Sequence, residues 1–461
     1  MTPAAFYGNY RFMSVPDETV MARARGPAGS DDARRFDDGV RIIAWLREDG
    51  FEALFAGGCV RDWCRAGRSP VDLDIATSAP PDAIVATMRR RRAAVQEVGK
   101  HFGVVRVRPG RESAWYEVAT FREDGTYSDA RHPDSVVWST RPKDAARRDF
   151  TVNGLYFDPF DACVHDHVGG RADIDARLIR AIGEPELRFR EDALRLLRAV
   201  RFAAREGFTI EPGTSAAMRL HAHLLRAVAP ERIRDELVKM AVLDTTRRVA
   251  AFRDLVDTGL ADVLWDLLFP QGWVRPDDWA RRVSEHLSEV GDLPDGSLRL
   301  SVFLAAWIGP MSDVAPPWST LADRLKRGAS ALRLSVDESE LLTALVAAHR
   351  RMVGRLPMDA FRLRRCAAHP LRPWIVPYIR AAFPTRDEWA AFGELAARIA
   401  PVPLKPLIDG NALRELGVPP GPALGRWTRW LLVKQYRGEF DGGQDPRTSA
   451  VACVLRRLAE R

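Results

Sequence analysis

The chain has 461 residues, long enough for two to four domains. A charged fraction of 28 % beside a hydrophobic fraction of 46 % is that of an ordinary soluble globular protein and excludes a disordered or fibrous chain. The net charge of +7 suits a polyanionic partner such as nucleic acid, although an arginine-rich coding bias gives the same sign.

The sequence begins with a stretch that has no apolar core of the signal-peptide kind, so residues 1–32 are expected to form a disordered leader. No apolar run approaches the ~20 residues of a membrane helix, so no membrane partner is expected. The cysteines Cys59, Cys64, Cys163, Cys366 and Cys453 lack paired metal-ligand spacing. A cytoplasmic protein with reduced thiols is the expectation.

Apolar residues at helical spacing over 38–50 predict a helix ending at Gly50, followed by a strand, "FEALFA", into Gly57-Gly58. A short helix, "VRDWCRAG", comes next. "VDLDIAT" alternates at the strand period, and "PPDAIVATMRRRR" is a helix opened by prolines. "GVVRVRP" and "AWYEVATFR" are predicted paired strands about the turn "GRES". A loop-rich stretch, 122–144, is longer than a plain connection needs. "PKDAARRDFTVNGLYFD" passes from helix to strand. Residues 33–165 therefore form an α+β head with a small mixed sheet. From Glu186 onward the pattern is amphipathic helix without strand signals. The expected division is a neck over 166–255 and a helical body and tail over 256–461.

Asp72 and Asp74, two apart on the predicted strand, point to one face while Leu73 and Ile75 point to the other. Adjacent carboxylates repel unless a cation lies between them, and Mg²⁺ favours such oxygen ligands. A bare D-x-D also fits a solvated strand edge. The glycine pair Gly57 and Gly58 ahead of a helix, with Arg61 following, makes phosphate binding the more specific reading.

The run "GGCVRD…GRSPVDLDIAT" resembles the active-site signature of the class II tRNA nucleotidyltransferase and bacterial poly(A) polymerase family. Three further motifs agree in order: "RRDFTVNGLYFDP", "GGRADIDARLIRAIGEP" and "REDALRLLRAVRF". "DGNALRELGVPPGPALGRW" is similar to a late segment of many members. The resemblance is strong from Phe51 to Phe208, thinner to Ser330, and returns over 404–430. It implies a polymerase-β-like nucleotidyltransferase head followed by an all-helical neck, body and tail.

It also implies residue roles. Gly58 and Arg61 contact the triphosphate; Asp72 and Asp74 carry Mg²⁺. Beside these, Glu117, in "YEVATF" on a neighbouring predicted strand, is the candidate third carboxylate, to take the proton of the RNA 3′-hydroxyl or to orient the metal that does; an ordinary exposed strand residue fits the same position. Arg148 and Asp149 grip ribose hydroxyls, Arg147 pairs with phosphate, and Asn153 belongs to the same motif. On a helix, Asp192, Arg195, Arg198 and Arg201 recur every third residue as a polar stripe, with Leu194, Leu197 and Val200 toward the core. Asp192 would accept from the exocyclic amino group of cytosine or adenine and Arg195 donate to the adjacent ring acceptor. The implied reaction is addition of CCA to the 3′ end of tRNA from CTP and ATP without a template. An A-adding enzyme, a poly(A) polymerase and an idle RNA-binding protein remain open. Trp427, Arg429 and Trp430, near "GRWTRW", lie in a region expected to grip tRNA, although tryptophans at helical spacing are more often core.

Overall fold

The computed structural model describes residues 16–65, 70, 72–97, 103–125, 136–270, 272–290, 298–311, 315–352, 372–382, 406–436, 439–440 and 445–460. The chain divides into two compact units: Met1–Ile233 with Asp254–Val263, and Arg234–Arg253 with Leu264–Arg461.

The expected leader is corrected by helix α1 (Glu18–Arg25). Asp17 caps it by accepting from Val20 N, and Val20 and Ala24 are buried. Asp17 also pairs with Arg171 at 2.7 Å. Apolar contact and a cap thus order residues 16–32; residues 1–15 lie outside the described residues. Helix α2 (Asp31–Glu48) starts at the Ser30 cap and buries Phe36, Ile42, Ile43 and Leu46.

The remaining head elements are β1 (Ala53–Ala56), α3 (Gly58–Cys64), β2 (Asp74–Thr77), α4 (Pro81–Arg90), β3 (Ala94–Gln96), β4 (Val104–Arg108), β5 (Tyr116–Thr120), β6 (Arg122–Asp124), β7 (Val136–Trp138), α5 (Arg141–Ala146), β8 (Leu155–Asp158) and β9 (Cys163–Asp166). Seven strands make one sheet in the order β3-β4-β5-β2-β1-β8-β9. Strands β2 and β5 run parallel and the other neighbours antiparallel. The expected mixed sheet is present.

Register explains which side chains reach which face. Phe55 pairs with Ile75, Ile75 with Val118, and Val118 with Val105, all fully buried. This face packs under α2 and α4. Phe36 stacks on Phe55, and the Tyr116 hydroxyl donates to Arg35 O at 2.7 Å. The opposite face carries Ala56, Asp74 and Glu117. Its β8 end is covered by the apolar group Leu54, Ala56, Ala76, Phe121, Ala145 and Tyr156. Its β5 end is open, and Asp74 and Glu117 are exposed there.

Two further expectations need correction. Strand β2 begins at Asp74, so Asp72 precedes it, though the alternation of exposed Asp72 and Asp74 with buried Leu73 and Ile75 holds. Residues 122–144 are not wholly loop: β6 and β7 pair antiparallel, and α5 follows. Positions 126–135 lie outside the described residues.

Beyond the sheet come α6 (Gly170–Ala176), β10 (Leu178–Ile179), α7 (Pro185–Glu191), α8 (Leu194–Glu206), β11 (Thr209–Ile210), α9 (Pro212–His221) and α10 (Pro230–Ala241). The β10–β11 pair, parallel, is a strand signal that the helical patterning hid. Asp166 accepts from the backbone N–H groups of Val168, Gly169, Gly170 and Arg171, which fixes the turn into α6. Gly170 has to be glycine, because a Cβ there would stand 2.2 Å from Thr151 O.

The second unit is helical among its described residues. Trp265, Trp279, Trp307 and Phe252 pack edge to face in its core. Residues 406–460 form a separate apolar cluster in which Trp427 is buried and Trp430 partly so. Both therefore act as core residues, with Arg457 stacked over the Trp430 ring at 4.1 Å. Among the described residues no helix is long and apolar enough to cross a membrane.

Candidate active site

Asp74 and Glu117 stand on neighbouring strands. Ile75 pairs with Val118, so the residue before each, Asp74 and Glu117, lies at the same level on the open face. Asp72 approaches from the chain just before β2. Asp74 can be reached from solvent, yet the protein around its base strips it of water. That desolvation, with the like charge of Glu117 and Asp72, pushes its carboxyl up to about 6 against the pull of Arg148.

Desolvation is the larger cause, and the neighbouring carboxylates add to it. Among the described residues no group of three or more His, Cys, Asp or Glu side chains forms a ready metal cage. An oxygen-only set of two or three carboxylates nevertheless fits Mg²⁺, which uses few protein ligands and completes its shell with water and phosphate.

Gly57 sits with φ 78° between β1 and α3, a left-handed conformation natural to glycine. A Cβ on it would meet Arg148 Nη1 at 2.9 Å. The missing side chain lets Arg148 pass close to the backbone, where Nη1 donates to Asn153 O at 3.1 Å. Gly58 opens α3.

Arg61 departs from its expected place. It is 1 % exposed. Its guanidinium donates to Asn153 Oδ1 at 2.6 Å and Asp62 Oδ1 at 2.8 Å, and pairs with the buried Glu206 at 3.3 Å. Three acceptors hold it inside, where it braces α3 against α8.

The "RRDFTVN" segment follows α5 and forms a connected polar network. Asp144 accepts from the Tyr156 hydroxyl at 2.6 Å and pairs with Arg147 at 2.7 Å and Arg148 at 3.2 Å. Burial would raise the Asp144 carboxyl, but Arg148, Arg147 and Tyr156 hold it below the usual range. Burial likewise works against the Arg148 charge, and Tyr156 and Asp144 outweigh it. Asp149 accepts from Asn153 Nδ2 at 3.0 Å and Arg198 Nε at 2.9 Å. Arg198 and these hydrogen bonds overcome burial and hold its carboxyl at about 2.

Asp192 is not on the helix that the triplet spacing suggested. Helix α7 ends at Glu191, α8 starts at Leu194, and Asp192 lies between them in extended backbone. Arg195, Arg198 and Arg201 are on α8, with Leu194, Leu197 and Val200 buried as expected. Arg195 Nη1 donates to Glu191 Oε2 at 2.6 Å, and Nη2 to Arg147 O at 3.3 Å. Arg201 is 7 % exposed and lies over the Phe202 ring at 4.0 Å. It is a packing residue more than a rim residue. Arg61, Asn153, Asp149 and Arg198 thus form one chain of contacts, and Arg195 ties α8 to Arg147.

Sequence reasoning missed Asp144, Tyr156, Glu206 and Arg232, whose guanidinium pairs with Asp192 at 2.9 Å. Only Asp144 left a signal, three and four residues before Arg147 and Arg148, the spacing of helical ion pairs. The others are brought in by tertiary contact.

The sheet, its carboxylates and the arginine-rich segment behind them define a nucleotidyltransferase head. Residues 53–180 match the family described as Poly A polymerase head domain, and residues 207–271 the one described as Probable RNA and SrmB- binding site of polymerase A. A CCA-adding enzyme of Lactobacillus delbrueckii subsp. bulgaricus is 32 % identical over 427 residues, covering 91 % of this chain and 97 % of that protein. One of Levilactobacillus brevis is 42 % identical over 220 residues, 48 % of this chain; there the match spans only about half of the relative, 53 %. The crystal structure of the Bacillus stearothermophilus CCA-adding enzyme in complex with CTP superposes with a TM-score of 0.64 at 25 % identity, covering 93 % of this chain and 98 % of that one. The chain belongs to the CCA-adding enzyme family.

Proposed function

We propose that this protein adds CCA to the 3′ end of tRNA, taking CTP and ATP in turn without a nucleic-acid template. The observation that supports the reading is the level placement of Asp74 and Glu117 on the open sheet face, with Asp72 just before the strand and Arg148 close enough to act on Asp74. In the reaction, the RNA 3′ oxygen bonds to the α-phosphorus, the α–β anhydride breaks, and pyrophosphate leaves. Asp72 and Asp74 would hold Mg²⁺, which supplies charge neutralisation at the phosphates and acidifies the attacking hydroxyl. Glu117, level with Asp74 on the next strand, would take that proton. Arg148, kept charged by Asp144, faces the developing negative charge from the Gly57 side, where the backbone of Gly57 and Gly58 admits phosphate closely.

Asp192 and Arg195 are the base-reading pair. A carboxylate accepts from the amino group of C or A and meets a carbonyl oxygen in U or G. Each reversed hydrogen bond costs about 1–3 kcal/mol, enough for discrimination when two act together. Asp149 and Arg198 border the ribose side, with Asn153 holding Asp149 in place and Arg147 behind them.

The test is a radiolabel assay with Mg²⁺ on tRNA ending before CCA, in C, or in CC. C addition to the shortest substrate followed by A supports the proposal. A addition only to CC ends makes the protein an A-adding enzyme, and long tails on unrelated RNA make it a poly(A) polymerase. Binding of RNA without transfer overturns the catalytic reading.

A further inference from the structure

Strand β4 reads Val104-Val105-Arg106-Val107-Arg108. Val105 and Val107 are fully buried beneath the helices. Arg106 and Arg108 therefore emerge on the opposite, open face. In register, Arg106 is directly across from Glu117. Trp115, two residues before Glu117, shares that face. The Arg106 and Arg108 guanidinium carbons lie 5.6 and 5.1 Å from the centroid of the Trp115 ring. All three side chains are partly exposed. Nε of Arg106 and Nε of Arg108 are buried without a hydrogen-bond partner among the described residues, and Arg106 Nη1 donates to Gln96 Oε1 at 3.5 Å.

We infer that Arg106, Arg108 and Trp115 form the seat of the unpaired 3′ strand of the RNA as it enters the acid cluster. This rests on the nucleotidyl-transfer reading of Asp72, Asp74 and Glu117. Two cations bracketing an indole match the chemistry of a single strand, whose phosphates meet the arginines while a base stacks on the ring. The patch is continuous with the acids, since Arg106 adjoins Glu117 on the next strand, about 5 Å away. Arg108 lies two residues further out, so the track spans on the order of 10 Å, a few stacked nucleotides. Incoming nucleotide and RNA end must meet at the acids from different sides. Arg148, Asp149 and Arg198 gather on the α8 side, and β4 faces the other way along the sheet. A basic strip beside a carboxylate row also offsets its repulsion of an approaching phosphate chain.

The experiment compares wild type with Arg108→Ala, Trp115→Ala and Trp115→Phe, none of which touches the acids. The probe is a tRNA transcript ending before CCA, read by anisotropy and by steady-state transfer. A second transcript is trimmed to a blunt acceptor stem. Removing the ring or the charge should raise Kd and KM for the first transcript roughly tenfold. The KM for CTP should stay within about twofold, and Trp115→Phe should restore most of the loss. Arg108→Ala should lower the slope of log Kd against log salt by about one. The blunt transcript should bind all variants alike. Unchanged affinity for the first transcript, or equal losses on both, overturns the seat. If wild type transfers nothing while the variants still lose affinity for the unpaired end, the seat stands and the catalytic reading falls.

Discussion

Arg232 closes a two-pronged ion pair on Asp192: Nη1 lies 3.1 Å from Oδ1, and Nη2 lies 2.9 Å from Oδ2. Arg232 comes from the first turn of α10, forty residues along the chain. Asp192 sits in the break between α7 and α8, where no helix fixes its side chain. Leu194 N donates to it at 3.1 Å, and Arg232 supplies the rest of its orientation. If Asp192 reads the base, Arg232 sets the angle of the reading. Arg232→Ala should lower the ratio of kcat/KM for CTP over UTP about tenfold, the worth of one charge-assisted hydrogen bond. Arg232→Lys should recover only part of it, because an ammonium cannot bridge both oxygens. Unaltered selectivity in both variants would remove Arg232 from base choice.

Asp74→Asn removes one charge from the carboxylate row and keeps its shape. Transfer should fall by at least roughly a hundredfold, as when one preorganised electrostatic group is lost. The thermal midpoint should hold or rise, since the repulsion among Asp72, Asp74 and Glu117 is relieved. Calorimetric titration with Mg²⁺ and CTP, set beside the unfolding curve, separates the two effects. Turnover near wild type would discard Asp74 as a metal ligand.

Asp149→Asn leaves Arg198 without its carboxylate. Arg198 is partly exposed, so the cost is modest, about 1–3 kcal/mol of stability. Discrimination of CTP against dCTP should weaken with it. The native Asp149 carboxyl is depressed to about 2. Its contribution is complete above the unfolded value near 4 and disappears as pH falls toward 2. Acid unfolding of the variant should therefore be shallower than that of wild type across this interval.

His286 and His349 lie with ring centroids 5.4 Å apart in the second unit, and the Tyr378 hydroxyl is 3.4 Å from His349 Nδ1. Burial keeps both imidazoles neutral: His349 is lowered to about 4, and His286 falls well below its ordinary value. Below about 6.5 the unfolded chain binds protons that the folded one refuses, so stability falls as pH drops from there toward 4. Each histidine contributes up to about 1.4 kcal/mol per pH unit within that window. His349→Gln should flatten the dependence by about one proton, followed by tryptophan fluorescence. An identical slope would contradict this.

Gly57→Ala forces a left-handed backbone on a residue with a Cβ and drives that Cβ into Arg148. A loss of about 1–2 kcal/mol is expected from the backbone alone. The displaced Arg148 should also raise the KM for nucleotide. Gly169→Ala is a useful control: it shares the positive φ but has nothing within 4 Å of its Cβ. Equal effects on KM from both would show that contact with Arg148 is irrelevant.

Local signals carried far in this chain. The β4 and β5 strands, their turn and the alternation about Asp74 followed from period-two patterning, because a sheet covered on one side imposes it. The pair of Asp74 and Glu117 could be anticipated only as residue types; their shared level depends on the parallel register of β2 with β5. The burial of Arg61 is not legible in sequence, because a buried arginine and a surface one look alike there. Its partners, Asn153 and Glu206, lie 92 and 145 positions away. Triplet spacing runs on across the break before Leu194, so periodicity alone extends the helix to Asp192. The first helix is hard to read in sequence because eight residues, half of them polar, give little periodic signal until they find a surface.

That first helix holds a lever on α3. Arg23 Nη1 donates to Trp63 O at 3.2 Å and Cys64 O at 3.0 Å, the carbonyls left over where α3 stops. α3 in turn begins at Gly58, beneath the guanidinium of Arg148. Clipping the polypeptide near Ser30 would thus unfasten the far end of the rod whose near end starts beside Gly57 and Arg148, and a fusion partner attached so as to strain α1 would be felt there too.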